Sequence, residues 1–125
     1  MREDLKRRFG VLETWNKTLV NTMPYPVYVM LDGGYLKVPA AERPIRLREE
    51  VRFTGIAGYI PLYAREFFLE GDLPPEDEKE EILYIVSDTV ARLLRGRRRD
   101  LIVPYDVMLD PNGNIISCKG FAFVD

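Results

Sequence analysis

The sequence predicts an α+β fold: a largely antiparallel four- to five-stranded sheet with two main helices packed on one face. Three patterns lead to it. Apolar residues step by three or four along the first 23 positions. Apolar and charged residues alternate through residues 45–53. An acidic start, an apolar stripe and a basic end mark a helix over residues 74–96. The 125 residues are 46% hydrophobic and 30% charged, which supplies one α+β domain over residues 1–125 with a core of its own.

In chain order, Leu5, Phe9, Leu12, Trp15, Leu19 and Met23 form one stripe of an amphipathic helix over residues 2–22. Gly10 weakens it, and Pro24 and Pro26 stop it. Residues 27–32 are apolar on both faces, as in an interior strand, and Asp32-Gly33-Gly34 turns the chain back into residues 35–38. In residues 45–53, Ile45, Leu47, Val51 and Phe53 share one face, with Glu49 the lone polar intruder. Arg46, Arg48, Glu50 and Arg52 share the other, which makes a half-buried strand with a basic outer face.

Residues 55–71 fit two readings. Residues 56–60 extend a strand, and 61–70 suit either a short helix stopped by Gly71 or, with four aromatics in the stretch, another strand. Pro74 and Pro75 then start the second helix, with Glu76, Asp77 and Glu78 at the positive end of its dipole. Leu83, Val86, Val90 and Leu93 form its buried stripe, and Gly96 closes it. Residues 101–109 and 114–124 make a closing hairpin about the type I turn Asp110-Pro111-Asn112-Gly113. Pro104 marks an edge or a bulge, and Gly120 a further irregularity. The expected core draws Leu12, Trp15, Leu19, Val27, Val29 and Leu31 from the first part of the chain. Leu47, Val51, Leu83, Val86, Val90, Leu93, Val103 and Val107 complete it.

For chemistry, the absence of histidine removes the commonest general base, the usual nucleophile pairs and most zinc sites. Cys118 is the only cysteine and reads as a buried, inert thiol in a strand. Asp32, Asp106 and Asp110 lie near strand ends, where a magnesium enzyme places carboxylates, yet Asp32 and Asp110 already serve as turn residues. The glycines match no phosphate-binding loop. No catalytic residue, metal ligand, cofactor or small-molecule ligand is therefore expected, and the metal-dependent enzyme ranks third among the functional readings. The start of the chain is too charged for a signal peptide, and no apolar run reaches membrane length. The expected location is soluble: the cytoplasm, or a virion assembled there.

Charge distribution carries the leading reading. Thirteen of the eighteen basic residues are arginine. Arg92, Arg95, Arg97, Arg98 and Arg99 gather at one end of the second helix, and Glu76, Asp77, Glu78, Glu80 and Glu81 at the other. Such a helix fits a subunit that stacks head-to-tail on copies of itself. The expected function is a non-enzymatic structural or assembly subunit whose partners are itself or other protein subunits. The alternative is a nucleic-acid-binding module that places Arg43, Arg46, Arg48 and Arg52 against phosphates.

Two resemblances bear on these readings. Lys119-Gly120-Phe121-Ala122-Phe123-Val124 resembles a motif of the RNA-recognition domain, which implies a central strand with Phe121 and Phe123 outward as stacking residues. The expected element order, helix, three strands, helix and two strands, resembles the tail-terminator and neck proteins of tailed phages. That resemblance implies a ring-forming, non-enzymatic subunit.

Overall fold

A computed structural model describes residues 2–124, Arg2 by its backbone alone. The chain runs α1 (Arg2–Arg8), β1 (Gly10–Glu13), β2 (Thr18–Asn21), β3 (Val27–Leu31) and β4 (Gly34–Val38). It continues through β5 (Arg46–Ala57), β6 (Ile60–Glu70), β7 (Ile82–Ile85) and α2 (Asp88–Leu93). It closes with β8 (Leu101–Tyr105), β9 (Met108–Leu109), β10 (Ile115–Ser117) and β11 (Gly120–Phe123). Five strands make the main sheet in the order β1-β2-β7-β8-β11. Its inner pairings, β2 with β7 and β7 with β8, are parallel, and only the outer pairings are antiparallel. Three two-stranded sheets, β3–β4, β5–β6 and β9–β10, accompany it.

This overturns the expected sheet with two main helices against one face. The two helices have only 7 and 6 residues, and strands make up most of the ordered chain. The helix expected over residues 2–22 stops after Arg8 because Gly10 enters a strand pressed against the chain at Pro39. A Cβ at Gly10 would lie 1.7 Å from the Pro39 carbonyl oxygen, so only glycine fits. Leu12 and Leu19, seven apart and so helically spaced, face each other across the β1–β2 ladder. Trp15 sits at the turn between them, 95% exposed. The turn is closed by Thr14, which donates its backbone N–H to the Lys17 carbonyl at 2.8 Å and accepts the Lys17 N–H on Oγ1 at 3.0 Å.

The second expected helix fails for a different reason. Ile82, Tyr84, Ile85 and Val86 are all buried, the continuous apolar run of a parallel strand covered on both faces. A helix starts only at Ser87, whose Oγ accepts the Val90 N–H at 3.2 Å as an N-cap. Val90 is buried on that helix, whereas Leu83 belongs to β7. Pro104 falls where β8 has run past the end of its pairing with β7, so its missing N–H deprives no ladder on that side.

The main sheet separates two cores. Ile82, Tyr84 and Val86 face one side, with Leu5 and Phe9 from the α1 region and Val90 from α2. Ile85 and Ile102 face the other, with Val27, Val29, Val38 and Cys118. Of the expected core, Val27, Val29, Val86, Val90 and Val103 are buried, and Leu12, Leu19, Leu47 and Leu83 pack at its margins. Trp15, Leu31, Val51 and Val107 are exposed. Asn21 is wholly buried in β2: its Nδ2 donates to the carbonyls of Tyr25 at 2.9 Å and Pro39 at 3.0 Å, and its Oδ1 accepts the Met23 N–H at 3.0 Å. It thereby ties both ends of the β3–β4 hairpin to the sheet.

Candidate assembly interface

The uncertain stretch of the sequence forms the most distinctive feature of the molecule. β5, of 12 residues, and β6, of 11, pair along their whole length from Arg46 opposite Glu70 to Ala57 opposite Ile60. At roughly 3.3 Å per residue this is an arm about 35 Å long. Ile45 is buried at its root, and Leu47, opposite Leu69, packs against the first core there. Beyond the root no other strand or helix packs substantially against it. Gly58, at φ 66°, supplies the left-handed backbone of the end turn. Thr54 bulges out between Phe53 and Gly55 and donates its hydroxyl to the Leu62 carbonyl at 3.2 Å.

The register sorts the arm into two faces. On one, Arg46, Arg48 and Arg52 stand among Glu50, Glu66 and Glu70. Arg48 pairs with Glu50 at 2.5 Å and with Glu70 at 3.3 Å, and Arg52 pairs with Glu66 at 3.4 Å. The Arg48 guanidinium also lies 4.9 Å from the centre of the Phe68 ring. The basic strand face of the sequence is thus met by an equal number of carboxylates from the two strands. Arg43, the remaining member of that group, is exposed before the arm and donates its N–H to the Arg8 carbonyl at 2.9 Å.

The other face is apolar. Its one charged pair, Glu49 with Arg65, is hydrogen-bonded internally, which holds the Glu49 carboxyl below its usual range and raises Arg65. Beyond that pair come Val51, Phe53 and Tyr63, the two rings meeting edge to face at 5.9 Å. Past the bulge Ile56, paired with Pro61, continues this face, and Tyr59 at the turn is 94% exposed, whereas Ile60 and Leu62 are exposed on the opposite face in step with Glu66 and Glu70. No Asp, Glu, Lys or Arg occurs between Phe53 and Tyr63. From full-exposure areas of about 150–250 Å² per large side chain, Val51, Phe53, Ile56, Tyr59 and Tyr63 present about 700 Å² to solvent. Monomeric surfaces seldom carry apolar patches beyond about 300–600 Å².

The charged groups singled out in the sequence lie elsewhere and do not form two ends of one helix. Glu76, Asp77, Glu78, Glu80 and Glu81 precede β7 in non-helical chain, and Glu80 adopts φ 56°. Asp77 Oδ2 accepts the Glu81 N–H at 3.0 Å, and the Glu80 carbonyl accepts from Lys17 Nζ at 2.6 Å. The Arg99 N–H donates to Glu76 Oε1 at 3.1 Å, so the acidic and basic segments meet within one molecule. Arg98 makes a two-pronged bond to Asp100, at 2.9 and 2.7 Å, and lies 5.5 Å from the Tyr84 ring. The bond to Asp100 raises the Arg98 pKa, and burial pushes the Tyr84 phenol up to about 12. Arg92, Arg95 and Arg97 are exposed at the end of α2 and just beyond it, and Glu78 is exposed as well.

Burial raises the Cys118 thiol, Asp106 pairs with Lys119 at 3.7 Å, and Asp110 caps its own turn by accepting the Asn112 and Asn114 N–H groups, each at 2.9 Å. Among the described residues no group of three or more His, Cys, Asp or Glu is placed to hold a metal ion. None of the described helices is long and apolar enough to cross a membrane. β11, which carries the RNA-recognition-like motif, is an outer strand rather than a central one, and Phe121 packs against the second core. The observed element order also departs from the one that resembled phage tail-terminator and neck proteins.

Sequence reasoning found the first strand of the arm but not the arm. The signal was present: apolar residues run outward to Gly58-Tyr59 and back again, with the two flanks nearly equal in length. No protein-family model, curated protein or solved structure matches this chain.

Proposed function

We propose that this protein is a non-enzymatic assembly subunit that self-associates, with the β5–β6 arm as its docking element. The observation that carries the reading is the arm's exposed apolar surface, against which no other described strand or helix packs substantially. A two-stranded hairpin is marginally stable alone in water, and a long one with an apolar face gains stability from a third layer. The opposite face consumes its own charges in ion pairs, which weighs against phosphate contact by Arg48 and Arg52.

The test replaces residues 50–66 by Asn-Gly, which leaves the Leu47–Leu69 root in place. Sedimentation velocity then compares this chain with the wild type between 1 and 100 µM, a range chosen to bracket ordinary subunit affinities. Wild-type mass is expected to rise with concentration while the trimmed chain stays monomeric and keeps its melting temperature. Equal masses for the two chains overturn the reading.

A further inference from the structure

A cavity of about 380 Å³ opens where the chain passes from the end of α2 into β8, and no residue of the arm lines it. Its size lies within the roughly 300–1,000 Å³ of small-molecule sites. Part of its lining is apolar. Ala91 and Leu101 are buried, Val124 packs against the first core, and Phe123 is exposed. Arg95, Arg98, Arg99 and Gly96 supply the rest, and among the described residues no Asp or Glu lines it.

The ordinary explanations of an arginine cluster do not account for these three. Cations gather at a helix C-terminus because its last carbonyls carry partial negative charge, but that attraction fades within the last turn. Arg95, Arg98 and Arg99 lie two, five and six residues past Leu93, the last residue of α2. Ion pairing does not account for them either. Asp100 takes Nε and Nη2 of Arg98 and leaves Nη1 without a partner among the described residues. Among those residues the guanidiniums of Arg95 and Arg99 pair with no carboxylate; Glu76 bonds the Arg99 backbone N–H instead. Gly96 turns the chain at φ 79°, and its own N–H makes no hydrogen bond among the described residues. The bond to Asp100 and the contact with the Tyr84 ring hold Arg98 in place before any ligand arrives.

We infer that this cavity binds a phosphate monoester carried on an apolar or aromatic group. The site is independent of the assembly reading. Charge selects among anions: Asp100 balances Arg98, which leaves the two positive charges of Arg95 and Arg99. A phosphate monoester brings about −1.5 to −2 near neutral pH and three acceptor oxygens, whereas a carboxylate brings one charge and two oxygens. Arginine forks suit phosphate oxygens two at a time. The apolar lining selects the body of the ligand, since a bare ion leaves Leu101 and Val124 uncovered and gains nothing from them.

Calorimetry with phenyl phosphate tests this on wild type, R95Q/R99Q and R92Q/R97Q. The last pair removes two exposed arginines that do not line the cavity. Wild type and R92Q/R97Q are expected to bind alike, and R95Q/R99Q to bind on the order of a hundredfold more weakly, about tenfold for each charge-assisted bond lost. Should R95Q/R99Q fail to fold, R95K/R99K keeps the charge without the forks and is expected to lose about tenfold. Benzoate and inorganic phosphate are each expected to bind at least about tenfold more weakly than phenyl phosphate. Wild type that shows no saturable binding below about 1 mM overturns the site, as does equal weakening in the two glutamine variants. Benzoate binding as tightly overturns the phosphate assignment, and inorganic phosphate binding as tightly overturns the apolar body. A thymidine oligonucleotide that binds more tightly than phenyl phosphate, and is weakened equally by both variants, replaces the monoester with a nucleic-acid backbone and overturns the proposal.

Discussion

Replacing Asn21 by alanine probes the joint that holds the β3–β4 hairpin to the sheet. The side chain is wholly buried and makes three hydrogen bonds, to the carbonyls of Tyr25 and Pro39 and from the Met23 N–H. Each bond contributes about 1 kcal/mol net, and each buried group left without its partner costs about 1–3 kcal/mol. Asn21→Ala is therefore expected to lose about 4 kcal/mol from a total stability of about 5–15 kcal/mol. With a urea slope of about 1–3 kcal/mol per molar, the midpoint falls by about 2 M. Far-UV circular dichroism is the suitable probe, because Trp15 is 95% exposed in the native turn and its fluorescence changes little on unfolding. A loss below about 1 kcal/mol would falsify the claim that these bonds clamp the hairpin.

Two further expectations follow from buried contacts. Tyr84 ionises in the fold at about 12 rather than at its ordinary 10, because burial disfavours the phenolate. A raised folded pKa means that stability is fully present below pH 10 and is lost as pH climbs from 10 to 12, by up to about 3 kcal/mol. Urea midpoints at pH 9 and 11.5 are expected to fall further for wild type than for Tyr84→Phe, and equal falls refute the assignment. Gly10→Ala forces a Cβ to within 1.7 Å of the Pro39 carbonyl oxygen. A backbone shift of β1 or of the Pro39 segment must follow, at a cost of about 3 kcal/mol; an alanine variant melting within a degree or two of wild type contradicts the close approach.

What was legible in the sequence was local chemistry. Asp32-Gly33 and Asp110–Gly113 make turns, Gly33 and Gly113 taking the φ of 84° and 86° that favour glycine. Longer inferences failed where one spacing serves two structures. Leu12 and Leu19 are two helical turns apart, and they are also mirror positions about a turn at Trp15. Leu83, Val86 and Val90 fit a helical stripe, yet the unbroken run from Ile82 to Val86 is what a strand needs when cores lie on both sides. Residues 45–53 do form a strand with an apolar face, but alternation records only that the face is apolar. An exposed apolar face has the same pattern as one covered by its own chain, so Val51 looked like core and is exposed. The pairing of Arg48 and Arg52 with carboxylates of β6 was hidden because it depends on a register that only the folded hairpin sets.

The long excursion between β2 and β7 also shapes how the chain reaches this structure. Thr22 and Ile85, joined at the end of that parallel ladder, are 63 residues apart, and closing so large a loop is entropically slow. The arm and the β3–β4 hairpin both lie inside the loop, and each can zip from its own turn within about 1–10 µs. Once zipped, the arm brings Arg46 and Glu70 side by side and removes the residues between them from the distance left to search. The element that extends farthest from the folded body thus acts, during folding, as a shortcut across its longest gap.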